Sequence, residues 1–259
     1  MTPSRETSAL FGRGAAAYAR FRPLYPRDLF AFLADVAPAR RRAWDCATGN
    51  GQAAVALAEC FTEVIATDAS AEQIARAEPR ANVRYFAAPA DTLDVEPGSV
   101  DLVTVAQALH WIDLPSFYEE VRRVSRPGGV IAAWSYYHVH VASGVDPILD
   151  RLMHETVGPY WPAGRELVEQ RYATIAFPFR EIRSPEFTMR AEWSLDDLLG
   201  YVGTWSAVQR FREAGLGDPV AAVRSELEGV WGRPDERREV RWPLALRVGY
   251  VGEPVRASA

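Results

Sequence analysis

The chain has 259 residues and a net charge of −5, from 34 acidic and 29 basic side chains. Every basic residue is arginine, which excludes a Schiff-base amine, a lysine nucleophile and a phosphate loop ending in Gly-Lys-Ser/Thr. The apolar and charged fractions are ordinary for one large globular domain, the mild acidity argues against an electrostatic nucleic-acid binder, and two cysteines (Cys46, Cys60) are too few for a disulfide framework or a cysteine-rich zinc site.

No window supplies the roughly 18 uncharged apolar residues that a membrane helix needs. The first residues lack the apolar core of a signal peptide. A soluble cytoplasmic protein is expected.

From about residue 41 to 137 the hydrophobic pattern alternates between two periods. Ala43, Trp44, Asp45 and Cys46 are a short apolar approach to a small-residue turn, Ala47-Thr48-Gly49-Asn50-Gly51. Residues 52–60 predict a helix, and 64–68 a buried strand ending in an acid. Ser70-x-x-Gln73 is a capping box opening a second helix; 83–86 is a third strand, closed by Ala90-Asp91. Residues 101–105 are a fourth strand. Phe117, Tyr118, Val121 and Val124 share one helical face, and Pro127-Gly128-Gly129 leads into a fifth strand at 130–134. Strands alternating with helices predict βαβ units and an α/β fold with a mainly parallel sheet.

The remainder is less regular. Residues 145–172 read as helical but are interrupted by Pro159 and Pro162; 187–190 is a short strand. Ser194-x-x-Asp197 caps a helix carrying Leu195, Leu198, Leu199 and Val202. Helical stretches at 206–214 and 219–231 precede a last strand at 239–248. The expected organisation is a single domain over 1–259, with a core at about 30–137 plus the C-terminal strands. Helical elements at about 145–175 and 194–232 would form a lid over the carboxyl edge of the sheet.

Open α/β sheets bind ligands beyond the carboxyl ends of their strands. Three strands here end in acids or glycines: Asp45 with Gly49 and Gly51, then Asp68, then Asp91. Asp68 follows Gly49 by 19 positions, the spacing at which an acid can bond the hydroxyls of a ribose. Gly49-x-Gly51-x-x-Ala54 also satisfies the dinucleotide fingerprint, so two nucleotides remain open on glycines alone. Asp45 favours one. A carboxylate about 4 Å from a pyrophosphate costs on the order of 4 kcal/mol per charge pair at an effective dielectric of about 20. S-adenosylmethionine has no phosphate and carries an ammonium and a sulfonium, both attracted to an acid.

Asp45-Cys46-Ala47-Thr48-Gly49-Asn50-Gly51-Gln52 resembles motif I of the class I S-adenosylmethionine-dependent methyltransferases, with Asp68 and Ala90-Asp91 at its next two motifs. Residues 101–111, ending Leu109-His110-Trp111, resemble the fourth, and Arg126-Pro127-Gly128-Gly129 the turn before strand five. Tyr18-Ala19-Arg20-Phe21-Arg22-Pro23-Leu24-Tyr25-Pro26 and Leu109-His110-Trp111 narrow the likeness to the branch of the trans-aconitate methyltransferases. The resemblance covers about residues 15–137, and Ala47 departs from it where glycine is usual.

The resemblance implies a Rossmann-like sheet of seven strands with helices on both faces. It also implies that backbone at Ala47, Gly49 and Gly51 passes under the methionine part of the cofactor, with Asp45 near its amino group and Gln52 completing the motif. Asp68 would hold the ribose, Ala69 flank the adenine, and Ala90-Asp91 meet its amine. Gln107 would line the junction with the acceptor, and Tyr18 and Arg22 would close the cofactor from the N-terminal segment. The expected partner is a small-molecule acceptor, such as a carboxylic acid, rather than nucleic acid or a membrane, and the expected state is a monomer or homodimer. A carboxylate acceptor needs no base; for a hydroxyl or amine, His110 is the proton acceptor.

The rival readings are a nicotinamide oxidoreductase and a non-catalytic binding module. His138-x-His140 is at most half a metal site, since no acid or thiol stands close enough in sequence to complete it, and no metal is expected. Trp161, Trp193 and Trp205 serve either a lid pocket or the core, and Cys46 is an inert buried thiol.

Overall fold

The computed structural model describes residues 21–233 and 235–252. Its sheet runs β3-β2-β1-β4-β5-β8-β6 along a path of seven strands, with an eighth, β7, also paired to β8. β1 (Arg42–Cys46), β2 (Glu63–Asp68), β3 (Val83–Ala87), β4 (Val100–Ala106) and β5 (Ser125–Tyr136) are mutually parallel. β6 (Arg180–Glu181), β7 (Thr188–Trp193) and β8 (Arg238–Tyr250) are antiparallel additions. The central strands are covered on both faces, which explains why β1, β4 and most of β5 are buried without alternation.

α1 (Arg27–Val36) and α2 (Gln52–Leu57) pack on one face with Leu29, Phe30, Leu33 and Leu57 fully shielded; α4 (Leu114–Val124) covers the other through Phe117, Val121 and Val124. A third short helix, α3 (Ala71–Ile74), follows β2, and the Ser70 hydroxyl accepts from the Gln73 N–H as its cap. Trp44 on β1 is buried whole, its indole N–H donating to Thr67 Oγ1 on β2 at 2.9 Å. Asp101, with no exposed surface, ties the opposite ends of these strands. Its Oδ2 accepts from the N–H groups of Arg41 and Arg42 at 2.9 Å, and Oδ1 pairs with Arg126 Nε at 2.6 Å.

After β5 the chain crosses the carboxyl ends of the strands as short helical pieces: α5 (Asp146–Arg151), a π-helical turn (Leu152–Thr156), a 3-10 turn (Gly158–Tyr160) and α6 (Arg165–Glu169). Beyond β7 come α7 (Leu195–Gly203), α8 (Ser206–Glu213) and α9 (Pro219–Trp231). The Ser194–Asp197 capping box at α7 is complete in both directions. Several strands exceed their expected bounds, β7 by running to Trp193. β5 begins at Ser125, which pairs with Val100, and residues 126–129 form an irregularity before the pairing with β4 resumes at Val130 and Leu102. β8 runs to Tyr250, pairing with β5 over Leu244–Tyr250 and with β7 over Arg238–Pro243. Among the described residues no helix is long and apolar enough to cross a membrane.

Candidate active site

The carboxyl ends of β1, β2 and β4 open into a cavity of about 580 Å³. After Cys46 the chain passes through Ala47 (φ 55°), Gly49 (φ 58°) and Gly51 (φ 87°), three left-handed residues before α2 begins. That conformation suits glycine and strains alanine. At Gly51 a side chain is excluded twice over, since a Cβ would lie 2.6 Å from the Tyr85 hydroxyl. At Gly49, which lines the cavity, nothing stands within 4 Å of that position, so the backbone there is bare toward a ligand.

Asp68 at the tip of β2 locks this turn: its carboxylate accepts from the N–H groups of Gly49 and Ser70, both at 2.8 Å. Desolvation raises its pKa despite those donors. Two oxygens offer about four acceptor positions, so about two remain for a ligand. Asp45 is placed differently from the sequence expectation. It does not line the cavity but lies wholly buried under the turn, Oδ2 accepting from Thr48 Oγ1 (2.5 Å) and Oδ1 from Thr104 Oγ1 (2.7 Å). Burial pushes its carboxyl up to about 6, opposed in part by the two hydroxyls. Its hydrogen-bond partner Thr48 does line the cavity.

Gln107 also has a left-handed backbone (φ 56°), held by its N–H to Trp134 O at 2.7 Å. Its amide forms a two-way rung with β5, donating to Tyr136 O (3.1 Å) and accepting from Tyr136 N–H (2.8 Å). His110 sits in a 3-10 turn (Leu109–Trp111) with Nδ1 2.9 Å from the Tyr172 hydroxyl. Burial, then the nearby Arg165 charge, pushes its pKa down to about 3, so the imidazole is neutral at physiological pH.

Arg22, Ala47, Gly49, Gln52, Asp68, Ala69, Ala90, Asp91, Gln107 and His110 therefore line one cavity. Asp45 and Gly51 underlie it, and Tyr18 falls outside the described residues. Gln52 anchors the N-terminal segment by donating to Pro23 O at 2.7 Å, while Arg22 donates to the Tyr136 hydroxyl at 2.8 Å and lies over the Tyr201 ring.

The far wall was not legible in the sequence. It includes Tyr136, Tyr137, Met153, Arg165 and Tyr201, none of which stands in a recognisable spacing. Trp161 and Trp205 join them, whereas Trp193 packs against Trp242 at 4.8 Å. Acids and cations come from different parts of the cavity: Asp68, Asp91 and Asp113 belong to the strand-tip loops, Arg165 to the helical wall and Arg22 to the N-terminal segment.

His138 and His140 stack 5.8 Å apart and do meet acids, Asp150 at 3.8 Å and Asp146 at 3.5 Å, brought in by α5 rather than by sequence proximity. Among the described residues no group of three His, Cys, Asp or Glu side chains is arranged to hold a metal ion.

The model of the methyltransferase domain matches residues 44–133, from within β1 to within β5 and including the glycine turn. A Dictyostelium discoideum protein named as a methyltransferase is 34% identical over 221 residues, 84% of each chain. A Mycobacterium tuberculosis protein named as a methyltransferase is 38% identical over 132 residues, 50% of this chain and 53% of that one. A solved structure from Anaeromyxobacter dehalogenans, described as a type II methyltransferase, is 44% identical and superposes with a TM-score of 0.86, covering 90% of this chain and 99% of that one. The chain belongs to the class I methyltransferases, enzymes that take their methyl group from S-adenosylmethionine. The nicotinamide reading of the same glycines is thereby set aside.

Proposed function

We propose that the protein methylates a carboxylate oxygen of a small organic acid, in the manner of the trans-aconitate methyltransferase branch. The observation that carries this reading is the distribution of charge in the cavity, with acids on the strand-tip side and two arginines, Arg165 on the helical side and Arg22 in the N-terminal segment. S-adenosylmethionine, when bound, supplies a methyl already activated on a sulfonium. The residues present fit it. The bare backbone at Gly49 offers the close approach the methionine moiety needs, and Asp68 has acceptor positions left for ribose hydroxyls. Asp91 and Ala90 line the adenine end, Ala69 flanks it, and Arg22 with Gln107 borders the acceptor side.

The chain's own contribution is alignment. Holding an acceptor oxygen about 3 Å from the methyl carbon supplies roughly 7–11 kcal/mol as effective molarity. His110 supports a carboxylate over a hydroxyl or amine: a conjugate acid near 3 makes it a weak proton acceptor, and a carboxylate needs none. In this reading His110 orients the acceptor by hydrogen bonding. The whole of 1–259 acts as one domain, and the helical segments at about 145–175 and 194–232 serve as a lid over a small-molecule site.

The test is a turnover screen over small carboxylic acids, phenols and amines, with Asp68→Ala as control. Acids alone should be methylated, and Asp68→Ala should raise the KM for S-adenosylmethionine about 10- to 100-fold, the equivalent of one or two charge-assisted hydrogen bonds. Methylation confined to phenols or amines overturns the acceptor class. S-adenosylhomocysteine binding without turnover of any class would leave a binding module instead.

A further inference from the structure

Arg165 stands at the start of α6 with its side chain 16% exposed, and it lines the cavity. Its guanidinium carbon lies 4.0 Å from the Trp161 ring centre and 4.2 Å from that of Tyr137. Its polar partners leave room for a ligand. The Tyr137 hydroxyl reaches the guanidinium, Nη2 points to the Met153 thioether at 3.4 Å, and the Glu169 carboxylate reaches Nε at 3.4 Å from a partly exposed position. Sulfur is a weak acceptor, and a 3.4 Å contact is beyond the usual range for a charge-assisted bond. Burial pulls the Arg165 pKa down, opposed in part by Tyr137 and by the Glu169 carboxylate.

Asp101 and Arg126 show the contrasting arrangement in this protein, an ion pair with carboxylate oxygen and guanidinium Nε 2.6 Å apart. Aromatic rings hold the guanidinium by its π-system, and the N–H fork lies in the guanidinium plane, where it matches two carboxylate oxygens. The opposite wall holds Asp68, Asp91 and Asp113, which repel an anion toward the helical side.

Building on the acceptor class proposed above, we infer that Arg165 is the specificity-determining residue for the acceptor: clamped by Trp161 and Tyr137, it grips a carboxylate of the substrate and holds it against the acid-lined cofactor side. The aromatic clamp makes Arg165 a preformed anchor, so little side-chain freedom is lost on binding. Lysine would keep the charge there but lose both the fork and the planar stacking.

The experiment compares wild type, Arg165→Gln and Arg165→Lys. Each is loaded with S-adenosylhomocysteine and titrated calorimetrically with an acid the enzyme methylates and with the carboxamide of that acid. Wild type should prefer the acid by about 10- to 100-fold, as charge-assisted over neutral hydrogen bonds implies. Arg165→Gln should erase that preference by weakening the acid alone, and Arg165→Lys should retain part of it. In turnover the loss should appear in the acceptor KM, with S-adenosylhomocysteine affinity unchanged in all three proteins. That unchanged affinity also certifies folding; if Arg165→Gln fails this check, Arg165→Lys carries the comparison. An intact acid preference in a folded variant overturns the role of Arg165 while leaving carboxylate methylation standing. Absence of acid turnover in wild type, with S-adenosylhomocysteine still bound, overturns the acceptor class and this assignment with it.

Discussion

Ala47 holds a left-handed backbone (φ 55°) at the first position of the cofactor turn, where the residue's methyl group gains nothing conformationally. Relief of that strain outweighs the extra freedom glycine brings to the unfolded chain. Ala47→Gly should therefore stabilise the protein by about 0.5–1 kcal/mol in urea denaturation. A loss of stability would mean that the alanine methyl packs usefully. Asp45 makes a prediction of opposite character. Its folded pKa is raised to about 6, so its contribution to stability is full below the unfolded value and is lost as pH rises through about 6. Relative to Asp45→Asn, the wild type should lose on the order of 3 kcal/mol between about pH 4 and pH 7. Parallel stability curves for the two proteins would show that the carboxyl is not shifted. At this scale the sequence was legible where backbone chemistry dictates residue type: Gly49 must be bare and Asp68 must face two amides. It was not legible at Asp45, whose partner Thr104 is 59 positions away, nor at Arg165, whose clamp comes from tertiary packing.

Among the elements, the parallel strands could be placed from sequence because burial on both faces leaves an unbroken apolar signature. Their ends could not, because β5 and β8 extend through pairing with neighbours rather than by propensity. The helical pieces between Asp146 and Glu169 were visible only as an interrupted helix, since a π-helical turn and two prolines break the period. Asp101 joins elements that sequence reasoning treats separately, receiving two amides at the start of β1 and the Arg126 side chain of β5. Asp101→Asn should destabilise by about 2–4 kcal/mol, below the full cost of breaking a buried pair because Arg126 keeps some access to water. Thermal and urea unfolding measure this; a change under about 0.5 kcal/mol, the size of an ordinary surface substitution, would contradict it.

For the molecule as a whole, the cavity is an assembly of two halves far apart in sequence, the strand-tip loops and the helical wall. A ligand bridging them should slow amide exchange in both. Adding S-adenosylhomocysteine should protect residues 48–53, and adding acceptor as well should extend protection to 161–168 and 204–209. Protection confined to the first segment in the ternary complex would detach the helical wall from acceptor binding.

β8 carries a demand that falls on the ribosome. Until Leu244–Tyr250 emerge, the strand holding Val130, Ile131 and Trp134 has nothing along its outer margin, although in the finished protein it is sealed. Roughly a hundred residues separate the two strands, some 5–20 s of translation, during which a sticky nascent surface waits for its cover. Slow codons in that interval, or a shortage of chaperone, would therefore lower the yield of folded enzyme.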